Sequence, residues 1–214
     1  MFSAFTSLAR KLAAHWRADS GQITPSSEFG RFLTKATLDA DVTNIVEIGT
    51  WNGLGSTRCI QKGLSRSRTR KNFYSIEANA EMYELALQNN KKMARTKFLW
   101  GSIVALEDLD DSNLSDDERV WIEGDRSSIM GAPYVLDQLP DTIDLLLLDG
   151  GEFSSWAEFE VLRNRLTKYL FLDDTQVRKN RAVQKWLLTS PDFRFVLAYE
   201  STDRNGWSVF IRNE

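Results

Sequence analysis

Asn44-Ile45-Val46-Glu47-Ile48-Gly49-Thr50-Trp51-Asn52-Gly53-Leu54-Gly55-Ser56-Thr57 is the stretch that decides the fold. An apolar run carries one acidic residue near its end, and glycines follow at positions 49, 53 and 55. The run predicts a buried strand over about 43–48, the glycines a tight turn, and Ser56-Thr57 the capped start of a helix over about 56–64. Glycine lets the backbone approach a ligand closely and adopt positive φ. Free N–H groups at a helix start attract polar or anionic groups. A dinucleotide site would prefer G-x-G-x-x-G with a pyrophosphate on the helix; here the spacing is E-x-G-x-x-x-G-x-G.

The rest of the chain repeats the strand-turn-helix rhythm. Phe73-Tyr74-Ser75-Ile76 predicts a second strand ending at Glu77, and a helix is expected over about 81–94. Lys97-Phe98-Leu99-Trp100 predicts a third strand, followed by Gly101-Ser102. Ile143-Asp144-Leu145-Leu146-Leu147-Leu148 is apolar enough for a central parallel strand buried on both faces; it ends in Asp149-Gly150-Gly151-Glu152. Ser155-Trp156-Ala157-Glu158 has the capping-box pattern and opens a helix with Phe159, Leu162 and Leu166 inward. A strand from Tyr169 to Leu172 ends in Asp173-Asp174, and a helix is expected over about 182–188. Two β-rich runs close the chain, joined by Asp203-Arg204-Asn205-Gly206 with its Asn-Gly hairpin signal. This alternation predicts a parallel sheet with helices on both faces.

In such sheets ligands bind beyond the carboxyl ends of the strands. Gly49, Glu77, Asp149, Asp173 and Asp174 all fall at those ends. An acidic side chain closing the second strand can accept both ribose hydroxyls of a nucleoside. Three clustered carboxylates at two adjacent strand ends would repel one another. A divalent cation with oxygen ligands would relieve that, and so would helix capping or pairing with Arg178 or Lys179.

Composition narrows the chemistry. The chain has 214 residues and a net charge of −3, which suits one domain and argues against a general nucleic-acid binder. With one cysteine, Cys59, and one histidine, His15, a Cys/His zinc site is excluded and a Ser-His-Asp triad is disfavoured. A reduced, cytoplasmic setting is expected. Any metal would rest on carboxylates, hence a hard ion. Residues 1–20 read as an amphipathic helix, with Phe2, Phe5, Leu8, Leu12 and Trp16 at helical spacing, packed on the domain or on a partner subunit. A homodimer is compatible with that. No window is long and apolar enough for a transmembrane helix. The basic loop 65–71 reads as solvated, as does an acidic insertion near 105–120; a second irregular stretch is expected between Val120 and Leu139. Residues 21–214 are expected to form a single domain.

The glycine pattern resembles motif I of class I S-adenosylmethionine (AdoMet) methyltransferases. The wider chain, over about 21–213, resembles the cation-dependent catechol and caffeoyl-coenzyme A O-methyltransferases. Gln22-Ile23-Thr24-Pro25 with Gly30-Arg31-Phe32-Leu33 is similar to the segment ahead of motif I. Ile76-Glu77 resembles the ribose-binding acid, Gly101-Ser102 the adenine-side turn, Leu148-Asp149 the first metal-ligand strand, and Leu172-Asp173-Asp174 the second. The resemblance implies a Rossmann-like α/β sandwich with a mostly parallel seven-stranded sheet and a C-terminal antiparallel hairpin. It implies AdoMet held by Glu47, Gly49, Trp51, Gly53, Ser56, Glu77, Gly101, Ser102 and Asp149. It further implies a divalent cation on Asp149, Asp173 and Asp174, and methylation of a hydroxyl on a small molecule or glycan.

Two departures stand out. The family's lysine shortly after the first metal aspartate is replaced by Gly150-Gly151-Glu152-Phe153, so its base role is vacant or passes to Glu152 or Lys179. The family's Asp-Asn is Asp173-Asp174, as in related sugar O-methyltransferases, which admits a glycan hydroxyl as well as a catechol. A metal-independent methyltransferase and a nucleoside-binding module without catalysis are the alternatives. Trp51 and Trp156 are expected near the crevice mouth.

Overall fold

The computed structural model describes residues 23–91, 95–199 and 205–213. The helix expected over 1–20 lies outside the described residues. In chain order the elements are α1 (Glu28–Leu38), β1 (Asn44–Ile48), α2 (Ser56–Arg66), β2 (Asn72–Glu77), α3 (Ala80–Asn89), β3 (Thr96–Trp100), α4 (Asp116–Gly131), β4 (Ile143–Leu148), α5 (Ser155–Leu162), β5 (Leu166–Asp173), α6 (Arg178–Leu187), β6 (Phe193–Tyr199) and β7 (Trp207–Arg212). No helix among the described residues is long and apolar enough to cross a membrane.

The seven strands form one sheet in the order β3-β2-β1-β4-β5-β7-β6. Strands β1 to β5 pair in parallel, and β7 runs antiparallel between β5 and β6. The chain leaves β1 toward β2 on one side and returns as β4 on the other, so the crevice beyond β1 and β4 is the topological switch point.

The strand pleat separates two cores. Val46, Ile48, Leu146, Leu148, Leu170 and Leu172 pack on one face with Phe159 of α5 and with Val183 and Leu187 of α6. Ile45, Leu145, Leu147 and Phe171 pack on the other with Phe29 and Leu33 of α1 and Ile60 and Leu64 of α2. Every leucine of β4 is buried, as its uninterrupted apolar run requires.

Helix α3 ends at Asn89 rather than near 94, and three further elements differ from the sequence expectation. Residues 116–131, read as part of an acidic insertion followed by irregular chain, form α4. The acidic run is its first turn: the Ser115 hydroxyl accepts from Glu118 N (3.3 Å), and the Glu118 carboxylate accepts from Ser115 N (2.8 Å). Acidic residues there complement the helix dipole. Helix α5 stops at Leu162, and Leu166 belongs to β5 rather than to the helix, because the Arg165 carbonyl is taken by Ile143 N (2.7 Å). Helix α6 starts at Arg178 rather than near 182. Its cap residue, Val177, has no side-chain acceptor, and Glu152 supplies one from the β4–α5 turn, accepting from Lys179 N at 3.2 Å. A cap delivered from another element leaves no local sequence signal.

Asn180 then locks the edge on which the site stands. Its side-chain amide is fully buried and donates to Leu148 O (3.0 Å) and Asp173 O (2.7 Å), the ends of β4 and β5. Asn180→Ala would remove both bonds and should destabilise the fold by about 1–3 kcal/mol. Urea denaturation checks this, and an unchanged midpoint would contradict it.

Candidate active site

The turn after β1 sets one wall. Gly49 (φ +89°) sits so close to the end of β4 that a Cβ there would lie 2.0 Å from Asp149 O. Gly49 N and Thr50 N both donate to Ile76 O, at 3.0 and 3.1 Å, tying the turn to β2. Trp51 N donates to one Glu77 oxygen (2.7 Å), and Asn79 N donates to the other (2.9 Å). Burial raises the Glu77 pKa to about 6, with these two backbone donors opposing the shift.

Glu47 stands behind the turn. Its carboxylate is fully buried and accepts from the hydroxyls of Ser56 (2.6 Å), Thr57 (2.8 Å) and Ser75 (2.6 Å), which pins the start of α2 to β1 and β2. Burial pushes its pKa up to about 7 against the pull of these three donors. Gly53 also lies back from the crevice, against α3, where Asn90 Nδ2 donates to its carbonyl (3.1 Å).

The crevice is a cavity of about 520 Å³ along the carboxyl ends of β1, β2, β3, β4 and β5, a volume typical of small-molecule sites. Of the residues singled out from sequence, Gly49, Trp51, Ser56, Glu77, Gly101, Ser102, Asp149, Asp173, Asp174 and Lys179 line it. Glu47, Gly53 and Glu152 do not. The Ser102 hydroxyl turns inward to donate to Val104 O (2.8 Å), shaping the β3 loop. Trp51 lines the mouth and is 40% exposed, whereas Trp156 is not among the lining residues and packs on Phe159, with ring centroids 6.1 Å apart.

The far end of the crevice carries the acidic cluster. Asp149, Asp173 and Asp174 each present an oxygen within 4.8 Å of the others. Asp174 holds a left-handed conformation (φ +53°), which turns the chain sharply after β5. That turn is fastened to the start of β7: Thr175 N donates to Gly206 O (3.2 Å) and Gln176 N to Asn205 O (2.7 Å). The Lys179 ammonium enters the cluster from the first turn of α6, 3.0 Å from Asp149 Oδ1 and 2.7 Å from Asp174 Oδ2. Burial alone would lower its pKa, but the charges of Asp149, Asp174 and Asp173 outweigh burial and hold it well above the ordinary lysine value. Arg178, the next residue back, points away to Asp110 (2.8 Å) and Glu118 (2.9 Å).

Sequence reading missed the contribution of α4 and α5. Gly124, Asp125, Ser128 and Ile129 of α4 form a wall of the crevice. Asp125 Oδ2 accepts from Phe153 N (3.0 Å) and so holds the 150–154 turn, and burial raises its pKa. Glu158 of α5 lies beneath Gly150 and lines the cavity. One of its oxygens accepts from the Ser154 hydroxyl (2.9 Å); the other is buried without a hydrogen-bond partner, and burial raises the pKa to about 7. The capping box Ser115…Glu118 was the available signal for α4. The capping-box pattern read at Ser155…Glu158 is not formed: Ser154 is the cap residue, the Ser155 hydroxyl donates to Gly151 O (3.0 Å), and Glu158 faces the cavity.

No protein-family model matches the chain, and no curated protein sequence matches it significantly. Solved structures do match it in three dimensions. It is similar to the O-methyltransferase from Bacillus cereus in complex with SAH, at 14% identity and a TM-score of 0.64, covering 96% of this chain and 88% of that one. It is similar to cofactor-bound Rv0187 from MTB, at 17% identity and a TM-score of 0.59, covering 97% and 89%. A methyltransferase from Geobacter sulfurreducens matches at 17% identity and a TM-score of 0.58, covering 100% and 88%. The fold is therefore the class I AdoMet-dependent methyltransferase sandwich that the motifs resemble.

The buried carboxyls have a thermodynamic consequence. Glu47 and Glu158, with folded pKa values of about 7 against a reference of 4.5, bind protons more tightly folded than unfolded. Stability should therefore fall as pH rises from about 4.5 to about 7, then level off. Glu47→Gln should flatten that slope. Urea midpoints across the range measure it, and a wild-type stability that rises through the window would contradict the assignment.

Proposed function

We propose that this chain is an AdoMet-dependent methyltransferase that methylates a hydroxyl of a small molecule or sugar. The observation that carries the reading is the single crevice in which the glycine turn and Glu77 meet the carboxylate-rich end of β4 and β5. A carboxylate has about four lone-pair positions. On Glu77, backbone N–H groups of Trp51 and Asn79 take one on each oxygen, which leaves acceptors for two vicinal hydroxyls of a nucleoside ribose. Bound AdoMet would supply a methyl group on a sulfonium.

The chain's own residues do the rest. Gly49 and Gly150 keep the two crevice loops in contact without side chains between them. Trp51 forms a wall of the mouth and restricts water. The acidic end holds the acceptor in line with the methyl group, an effect of orientation worth several kcal/mol, up to about 7–11 in well-aligned systems.

The donor set of Asp149, Asp173 and Asp174 is the hard-oxygen kind that suits Mg²⁺ or a similar ion. As arranged here it does not fit a resident cation, because Lys179 already engages two of the three carboxylates. This arrangement favours the metal-independent form of the reaction. A protonated Lys179 is a poor base, and Glu152 is engaged in capping α6. Proton acceptance passes to Asp149 or Asp174.

Isothermal titration with AdoMet and with S-adenosylhomocysteine tests the cofactor, and transfer of a labelled methyl group to a panel of sugars and phenols tests the acceptor class. Glu77→Ala should weaken cofactor binding by about 1–3 kcal/mol through loss of a charged acceptor. Absence of AdoMet binding by the wild type would defeat the reading, and unchanged affinity in Glu77→Ala would remove Glu77 from the site.

A further inference from the structure

We propose that the Lys179 ammonium occupies the position of a catalytic cation, so that activation of the acceptor oxygen is done by a covalently attached charge. The inference rests on the methyltransferase reading for its chemistry, but its geometry stands alone. Nζ lies 3.0 Å from Asp149 Oδ1 and 2.7 Å from Asp174 Oδ2, and the side chain is only 13% exposed. A divalent ion bound at ~2.1 Å to these oxygens would sit no more than about 5 Å from the ammonium. Two positive charges that close repel, and they compete for the same oxygens.

The lysine is held there by its neighbours rather than by its own flexibility. Lys179 N is bonded to the Glu152 carboxylate at 3.2 Å. Asn180 bridges the ends of β4 and β5 through bonds of 3.0 and 2.7 Å. Arg178 is clamped to Glu118 and Asp110 on the outside, at 2.9 and 2.8 Å. Three consecutive residues are thus tied to three different parts of the fold. These ties fix the backbone from which the side chain reaches in, and the two ion pairs to Asp149 and Asp174 hold the ammonium itself.

An ammonium has three N–H donors. Asp149 and Asp174 take two, and the third serves an acceptor oxygen, since Lys179 lines the crevice. The hydroxyl oxygen forms the new C–O bond with its lone pair while the C–S bond breaks and its electron pair stays on sulfur, turning the sulfonium into a neutral thioether. The hydroxyl proton passes to the Asp149 or Asp174 carboxylate. Lys179 keeps its proton throughout and stabilises the negative charge that develops on the oxygen.

The test is a titration of the full chain with Mn²⁺, followed by the electron paramagnetic resonance of the free ion. The wild type should leave the free signal unchanged into the millimolar range, whereas Lys179→Ala should bind one Mn²⁺ per chain, and Lys179→Ala,Asp149→Asn should lose it again. Saturable binding by the wild type that Asp149→Asn abolishes would overturn the inference. That wild-type measurement decides it even if Lys179→Ala fails to fold by circular dichroism. Turnover of the wild type should survive excess EDTA, and Lys179→Ala should lose about 10²-fold or more in turnover while AdoMet affinity stays within a few-fold. Inactivation by EDTA would also overturn it. Failure of AdoMet to bind the wild type would instead defeat the methyltransferase reading and leave the Mn²⁺ result to judge Lys179.

Discussion

The carboxyl edge of this sheet depends on the missing side chain at Gly49. A Cβ there would fall 2.0 Å from Asp149 O and 2.8 Å from Gly150 N, well inside any contact distance. With none, the loop after β1 and the loop after β4 rest on each other, and the crevice is closed on that side. Both loops then inherit the register of their strands, because Ile48 pairs with Leu148 and with Ile76 in the sheet. The positions of Glu77 and Asp149 in the crevice follow from strand pairing plus this one backbone contact.

Around that edge, carboxylates outnumber cations. Glu77, Asp125, Asp149, Glu158, Asp173 and Asp174 line the cavity with Lys179 as the one cationic side chain among its lining residues. The molecule manages this charge in two ways. Glu47, behind the crevice, and Glu158, on its wall, are held with raised pKa values by burial. The cluster at the ends of β4 and β5 is compensated by Lys179. A cavity of this sign favours positively charged ligand groups and opposes the phosphates of a nucleic acid or dinucleotide, in keeping with a glycine spacing that departs from the dinucleotide pattern.

Much of this was legible in the sequence because it is written in short-range pattern. Apolar runs ending in Gly49, Glu77, Asp149 and Asp173 marked four strand ends, and alternation of strands and helices gave the parallel sheet. The convergence of Asp149, Asp173 and Asp174 followed from topology alone. What escaped were features made by partners distant in sequence. The first turn of α6 is capped by Glu152, 27 residues away, so the helix start was placed too late, although Lys179 itself was singled out as a candidate base or ion-pair partner of the cluster. Helix α4 was hidden by its own charge, an acidic first turn reading as solvated loop. Glu158 lies on a helix whose sequence gives no sign that a carboxylate faces the cavity.

Arg178 and Lys179 are adjacent, yet one faces outward to the acidic segment and the other inward to the crevice. Arg178 reaches Asp110, Glu118 and the carbonyls of Ser112 and Asn113, so the insertion and the first turn of α6 are tied together by one side chain. The insertion is therefore not a module that can be exchanged by itself. A chimera carrying a different 105–131 segment must bring a matching partner for position 178, or the misfit is passed one residue along the helix to the charge at the reacting centre. Sequence drift in the surface loop and in the site are mechanically linked.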